Sequence, residues 1–280
     1  MSRGFNSTSP REKVLRYALL VFVLLITVGP FLWQLSTSFK GPGEDIYTAT
    51  PRFLPEQPTL GNYAEVARAI PVWDYIGNSL VVAALTITGN AVGATLAGYA
   101  LARLRFRGGR LVLGLVLGTL VLPGEVTIVS QYVTVRELGL ADTLVGVALP
   151  GAIGMLNILL MRAAFLAIPR ELDEAAYIDG ADAWQRFVRI GLPSVRGMLS
   201  VVVIFAFIGA WDDFLWPLIV LTDPENYTLT VGLQYLNSSF TSNPRVVAAG
   251  TMIAFIPIVV VFATLQRFFF RGVEEGAIKG

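Results

Sequence analysis

Six stretches of this chain run for about 20 residues with little or no charge, the length an α-helix needs to cross the hydrocarbon core of a bilayer. They cover about residues 17–39, 75–102, 111–132, 143–162, 197–221 and 246–267. The third is interrupted by Pro123, Gly124 and Glu125, and the fifth contains Asp212 and Asp213. Hydrophobic residues make up 54% of the 280 and charged residues 15%, well below the quarter or so usual for soluble domains. The expectation is an all-α polytopic membrane protein: one transmembrane domain over residues 1–280, six transmembrane helices, and membrane lipid as its surroundings.

The positive charges set the orientation, because Lys and Arg accumulate in cytoplasmic loops. The N-terminus, the 103–110 loop, the 167–196 loop and the C-terminal tail hold fifteen of the 21 Lys and Arg residues, whereas the alternate loops hold only Lys40, Arg52, Arg68, Arg136 and Arg245. Both termini are therefore expected in the cytoplasm. The net charge of +1 gives no reason to expect a nucleic-acid partner. The first apolar run is long enough to span, and no small-residue cleavage site follows it cleanly, so no cleavable signal peptide is expected.

Cysteine and histidine are both absent. That removes disulfides, thiolate nucleophiles, most zinc sites and the commonest general acid–base group. No G-x-x-x-x-G-K-[ST] loop is present to cradle a nucleotide's phosphates. The chain is not expected to be an enzyme or to bind a cofactor, and any ATP would be used by another subunit. An aspartyl enzyme would have to use Asp212 and Asp213, which as neighbours on one helix diverge by about 100°.

The most charged stretch in the second half of the chain is Pro169–Pro193, PRELDEAAYIDGADAWQRFVRIGLP, lying in an expected cytoplasmic loop. Pro169 suits a helix start, and Glu171, Asp173 and Glu174 would oppose the positive end of the helix dipole. Gly180 would end this helix. Asp182 and Gln185 have capping-box spacing for a second one, with Trp184, Phe187, Val188 and Gly191 on one face and Pro193 as its stop. Helices this short are marginal alone in water, so they need the bilayer interface or a partner to lie against.

Small residues recur within the second run, as Gly89, Gly93 and Ala97 and as Ala94 and Gly98, which suits close helix packing within the bundle or at a subunit seam. Charges at membrane depth are costly and usually face a cavity or a partner. Glu125, Asp212 and Asp213, with Asn157 as a further polar candidate, could border an outward-facing vestibule, and Trp211 or Trp216 could offer a ring face to a sugar. The alternative is that each is an interfacial or helix-kink residue.

Glu174-Ala175-Ala176, Asp179-Gly180-Ala181, Ile190, Leu192 and Pro193 together resemble the signature loop of bacterial ABC-importer permeases. Asn78-Ser79-Leu80, the stretch Trp211–Leu218, the stretch Thr228–Leu233 and the terminal Gly276–Gly280 resemble the smaller permease subunit of maltose-type carbohydrate importers. This resemblance implies a multi-pass subunit of the bacterial cytoplasmic (inner) membrane. It would pair with a second homologous permease, two ATP-binding subunits and an extracytoplasmic substrate-binding protein, and would carry a sugar, an oligosaccharide or a related polyol or glycerol phosphodiester. ATPase coupling would fall on Glu174, Ala175, Ala176, Asp179 and Gly180, with the C-terminal tail as a second contact. The competing class is an ion-coupled carrier using the intramembrane carboxylates, which would usually show internal pseudo-symmetry and would have no use for the signature loop.

Overall fold

The computed structural model describes residues 10–44, 46–47, 52–238 and 243–277, with the backbone alone described at residue 10 and over 267–277. Its regular elements are all helical among the described residues. The N-terminal and C-terminal basic residues Arg3 and Lys279, and the tail contact expected at Ile278–Gly280, lie outside them. Among the described residues, three helices are long and apolar enough to cross a membrane: Arg11–Ser38, Val72–Arg103 and Pro244–Gln266. Two bent pairs bring the number to five, and Met155–Ala167 is a shorter apolar helix.

Helices lie within each of the expected runs, but three of the runs are broken. The third divides into α5 (Gly109–Thr119) and α6 (Gly124–Glu137), which turn by 108° at Leu120–Pro123. Pro123 lacks the N–H that would continue α5 and disfavours helical geometry before it. The fourth divides into α7 (Leu144–Ala148) and α8 (Met155–Ala167). The fifth ends as α12 (Arg196–Trp211) and resumes as α13 (Leu215–Val220), so the Asp212–Asp213 pair sits at a helix break instead of inside a continuous span.

The chain divides into two compact units. The first comprises residues 1–70 and 235–253, with α1 (Pro10–Ser38) and α2 (Gly61–Ala69). The apolar side chains of α1 between Val14 and Ile26 are more than half exposed, as suits a helix whose solvent is lipid. Beyond α1 the chain folds back on polar contacts. Lys40 is buried at 1% exposure, donating from Nζ to the Arg52 carbonyl at 2.7 Å and lying 4.2 Å from the Trp33 ring centre. Asn62 donates to the Ser38 and Lys40 carbonyls, both at 2.9 Å. Arg245 donates to the Gly41 and Pro42 carbonyls at 3.1 and 2.8 Å.

The second unit, residues 71–234 and 254–280, is built around α3 (Val72–Gly89), a π turn at Asn90–Ala94 and α4 (Thr95–Arg103). α4 lies against α8 closely enough that a Cβ on Gly98 would sit 2.7 Å from Met161 Cβ and 2.8 Å from the Arg162 nitrogen. Gly89 and Gly93 similarly meet Ala152 and Ile153. These three glycines serve packing within the unit. Arg103 completes the α4–α8 pair by donating from Nε to the Phe165 carbonyl at 3.1 Å and from Nη2 to the Phe165 and Ile168 carbonyls. A cation thus caps the carbonyl end of α8, where both hydrogen bonding and the helix dipole favour it. Asn78, on α3, donates to the Glu225 and Tyr227 carbonyls at 2.8 and 3.0 Å, and the neighbouring Ser79 hydroxyl accepts from the Leu229 N–H at 2.8 Å. Two of the sequence stretches that carry the resemblance are therefore in contact.

Asp142 holds a second pair of loops together. It has φ of +58°, a conformation Asp tolerates better than most residues. Its Oδ1 accepts from the Thr222 and Asp223 N–H groups at 2.8 and 3.0 Å, and its own N–H donates to the Val220 carbonyl at 2.9 Å. The backbone N–H groups of Asp223 and Thr222 favour the ionised form and hold its carboxyl below the usual carboxylate range. A group whose pKa is depressed by folding stabilises the contact above its unfolded value and loses that contribution as pH falls through the folded one. Protection of the Thr222 and Asp223 amides from hydrogen exchange is thus expected to be flat from neutral pH to about pH 5 and to fall below about pH 4. In Asp142→Asn, which keeps an acceptor and tolerates positive φ, protection should no longer depend on pH over that range. For the α4–α8 contact, Gly98→Val should cost about 1–3 kcal/mol through overpacking. Thermal unfolding in detergent should show a lower midpoint for it than for a Gly77→Val control, since a Cβ on Gly77 meets nothing within 4 Å.

Candidate functional site

Two regions of the second unit bring together residues singled out in the sequence. The first is the Pro169–Pro193 loop. α9 (Arg170–Ile178) starts directly after Pro169, has Glu171 and Asp173 in its first turn and buries no residue fully. Gly180 follows with φ of +84°, where a Cβ would strain the backbone. α10 (Ala183–Arg186) opens with the expected capping box: Asp182 Oδ1 accepts from the Gln185 N–H at 2.7 Å, and Gln185 Oε1 accepts from the Asp182 N–H at 3.2 Å.

Beyond α10 the loop differs from the expected regular helix. Phe187–Gly191 form a π turn, and Pro193 sits inside the next helical segment, α11 (Leu192–Ser194), without stopping it. The widened turn before Pro193 relieves the ring's usual conflict with the preceding helical turn. The chain leaves the helix at Val195 and bends by 77° into α12.

The loop has an anchored half and an open half. Phe187 is buried, with ring centres 4.9 Å from Tyr99 and 6.3 Å from Phe165, in a core completed by Met161, Val195 and Val202. α9 is tied to this half by an Arg186–Asp173 ion pair at 3.4 Å, with the Arg186 guanidinium 5.5 Å from the Tyr177 ring. Its remaining apolar side chains are open: Leu172, Tyr177 and Ile178 are 51, 70 and 83% exposed. Glu174, Ala175, Asp179 and Gly180 are exposed and Ala176 is half-buried, so all five expected coupling residues lie on or beside one accessible ridge.

The second region is a cavity of about 370 Å³ lined by parts of α3, α6, α8, α12 and α13. Its polar wall is organised by Asn90, which is 1% exposed. The Asn90 amide donates to the Thr86 and Gly151 carbonyls at 2.9 and 2.8 Å, and its oxygen accepts from the Gly154 N–H at 2.7 Å and Asn157 Nδ2 at 2.8 Å. Asn157 Oδ1 is left buried and without a hydrogen-bond partner on the cavity wall. Asp213, half-buried, also lines the cavity, with Oδ1 accepting from the Trp216 N–H at 3.3 Å across the helix break. Gln131 and Trp216 complete the polar and aromatic lining, and no cationic side chain is present in it. The wall thus offers the Asp213 carboxylate as an acceptor and no cation, which suits a neutral ligand that brings hydroxyl donors.

The expected vestibule residues are not all here. Asn157 and Asp213 share the cavity, but Glu125, Asp212 and Trp211 do not line it. Glu125 is exposed in the first turn of α6, where a carboxylate suits the helix N-terminus, and Asp212 is exposed beside the break. Trp211 is 3% exposed, donating from its indole nitrogen to the Ala254 carbonyl at 2.9 Å and stacking on Phe207. Trp216 is the tryptophan on the cavity, held by an indole bond to the Val147 carbonyl at 3.1 Å. Asn90 and Gln131 were not singled out in the sequence. An uncharged amide in an apolar helix is the one signal that pointed to Asn157, and it applies equally to Asn90.

Comparison with known proteins agrees with this architecture. An arabinooligosaccharides transport system permease protein of Halalkalibacterium halodurans is 31% identical over 277 residues, covering 98% of this chain and 99% of its own. A galactooligosaccharides transport system permease protein of Bacillus subtilis is 33% identical, covering 94% of each chain. A maltodextrin transport system permease protein of the same organism is 32% identical over 98% of this chain and 100% of its own. A chain from the crystal structure of a bacterial ABC transporter involved in the import of the acidic polysaccharide alginate shares the fold at a TM-score of 0.83. That match has 22% identity and covers 96% of this chain and 100% of that one. Residues 89–275, which include the loop and most of the cavity wall, match the family described as the binding-protein-dependent transport system inner membrane component, and the chain belongs to that family.

Proposed function

We propose that this chain is a transmembrane permease subunit of an ATP-driven, binding-protein-dependent importer for a neutral sugar or oligosaccharide. Its six spans would form a single permease domain with both termini in the cytoplasm of a bacterial inner membrane. A second homologous permease would complete the pathway, an extracytoplasmic binding protein would deliver substrate, and two ATPase subunits would supply energy. The observation that carries this reading is the α9–α10 loop: an ordered, capped pair of short helices whose apolar side chains are exposed although their base is fixed in the core. Helices this short gain from a surface to lie against, and family membership supports an ATPase as that surface. The chain carries no phosphate-binding loop of its own, which agrees with ATP hydrolysis in a partner.

The cavity supplies the substrate side of the reading. The Asp213 carboxylate offers acceptors to sugar hydroxyls, and Trp216 offers an apolar surface beside it. The sugar names of the relatives support a carbohydrate, and the absence of a cation from the lining favours a neutral one.

Two substitutions separate the coupling role from the pathway role. Gly180→Val should leave the protein in the membrane at wild-type level, reduce uptake at least tenfold and abolish substrate-stimulated ATP turnover. Gly180→Asn, which tolerates positive φ, should retain most activity. Normal uptake by the valine variant would refute the coupling assignment. Asp213→Leu should reduce uptake of the cognate sugar at low concentration while leaving assembly with the ATPase intact, whereas Asp212→Asn, off the cavity, should have little effect. Unchanged low-concentration uptake by Asp213→Leu would remove Asp213 from the pathway.

A further inference from the structure

A cluster of unpaired charge among the described residues lies beside the α9 loop, outside the two regions described above. Arg105, Arg107, Arg110 and Arg162 line a cavity of about 500 Å³ between the end of α4, the 104–108 turn, the start of α5 and α8. No acidic side chain lines it, and none of the four arginines has an ion-pair or hydrogen-bond partner among the described residues. Arg162 Nε is buried and unsatisfied. The neighbouring cavity beside α9 shares Leu104 and Arg105 with this one but is otherwise different. There Asp173 and Glu174 accompany the arginines, Arg186 is paired with Asp173, and Arg103 is bound to α8 carbonyls.

Four guanidinium groups around one cavity give it a positive potential, which solvent weakens because Arg105, Arg107 and Arg110 are exposed. A phosphate oxyanion suits such a cavity, since it accepts the paired N–H geometry of arginine and neutralises several charges at once. The rest of the wall is apolar: Leu104, Phe106 and Leu113 share the cavity with the arginines. Such a wall is unsuited to a hydrated free anion and suited to the glycerol and first methylenes of a lipid. The charge count places this loop at the cytoplasmic surface, where anionic lipids face basic residues.

We propose that this cavity binds the phosphate of an anionic phospholipid, with Arg107 and Arg110 at its mouth and Arg162 behind them. The inference rests on the membrane orientation proposed above and is independent of what the importer carries.

The test uses the assembled transporter in detergent at fixed ionic strength, following the thermal unfolding midpoint while phosphatidylglycerol or phosphatidylcholine is added. Phosphatidylglycerol should raise the midpoint in a saturable way and phosphatidylcholine should not. Arg107→Gln/Arg110→Gln should weaken the apparent lipid affinity by about fivefold for each arginine removed. Arg189→Gln/Arg196→Gln, which removes the same charge from the π turn and the first residue of α12, should leave it unchanged. An equal loss in both double variants, or no preference for phosphatidylglycerol in the wild type, overturns the site. Glycerol phosphate or inorganic phosphate raising the midpoint to the same extent would show a free-phosphate site and overturn the lipid assignment. Loss of the effect when the ATPase subunits are removed would assign the arginines to an acidic protein surface and likewise overturn it. If the double variant already unfolds earlier in phosphatidylcholine, the same titration of Arg107→Gln alone decides the matter. Uptake that persists in neutral lipid while the titration fails would remove this site and leave the transport reading standing.

Discussion

Backbone that leaves a helix within an apolar environment presents N–H and C=O groups that lipid cannot satisfy. In the segment between α7 and α8, one side chain answers several of them. Asn90 takes the Gly151 carbonyl and the Gly154 N–H, together with the Thr86 carbonyl on its own helix and the Asn157 amide on α8. All four hydrogen-bonding positions of the carboxamide are occupied, so neither hydrophobic replacement nor an acid would reproduce them. The π turn at Asn90–Ala94 sits where this side chain leaves α3, as such irregularities often do at functional positions. The non-helical 149–154 segment and the orientation of Asn157 both depend on this one residue.

Local features were readable from the sequence because their physics is local. The capping box at Asp182 and Gln185 and the positive-φ turn at Gly180 depend on residues within a few positions of one another, and both are present as expected. The helix breaks were readable only in part. Pro123 and the Asp212–Asp213 pair were visible as interruptions, but a 108° turn depends on what each half packs against and not on the proline alone. The roles of Asn90, Asp142 and Trp211 were hidden for a different reason. Their partners lie 61 to 67, about 80 and 43 residues away, respectively, and no periodicity in a single sequence pairs residues over such distances. Trp211 and Trp216 are alike in composition and differ only in which side of α12 and α13 is covered.

Small residues had two readings, internal packing or a subunit seam, and the structure separates them by position. Gly89, Gly93 and Gly98 face atoms of the same unit at distances that no side chain could share. Exposed apolar surface is present along α1 and α5, where Leu111, Leu115 and Leu117 are uncovered, and also on the outer side of α3, the π turn and α4 at Leu80, Val92 and Leu96. Lipid accounts for such surface without a protein partner, because apolar side chains facing hydrocarbon incur no penalty. Exposure that would mark a docking patch on a soluble protein is therefore informative here only where water is expected, as on α9.

α12 ties the proposed coupling loop to the proposed cavity. It begins after the 77° bend that ends the loop, and its 16 residues rise about 24 Å to the break that presents Asp213. Phe205 and Gly209 on this helix also line the cavity, while Val202 packs into the same core as Phe187. An α-helix transmits axial displacement and rotation but absorbs them at breaks, and the breaks here fall at its two ends. In the proposed mechanism, a partner that moved α9 and α10 would act on the Phe187 core, and α12 would carry that motion to the cavity wall as a rigid body. The non-helical residues at Asp212–Phe214 are then the place where the wall can change shape while the helices on either side keep their hydrogen bonds. A carboxylate whose Oδ1 accepts from the Trp216 N–H across that break would feel such a change directly, because its orientation is set by both of the segments that move.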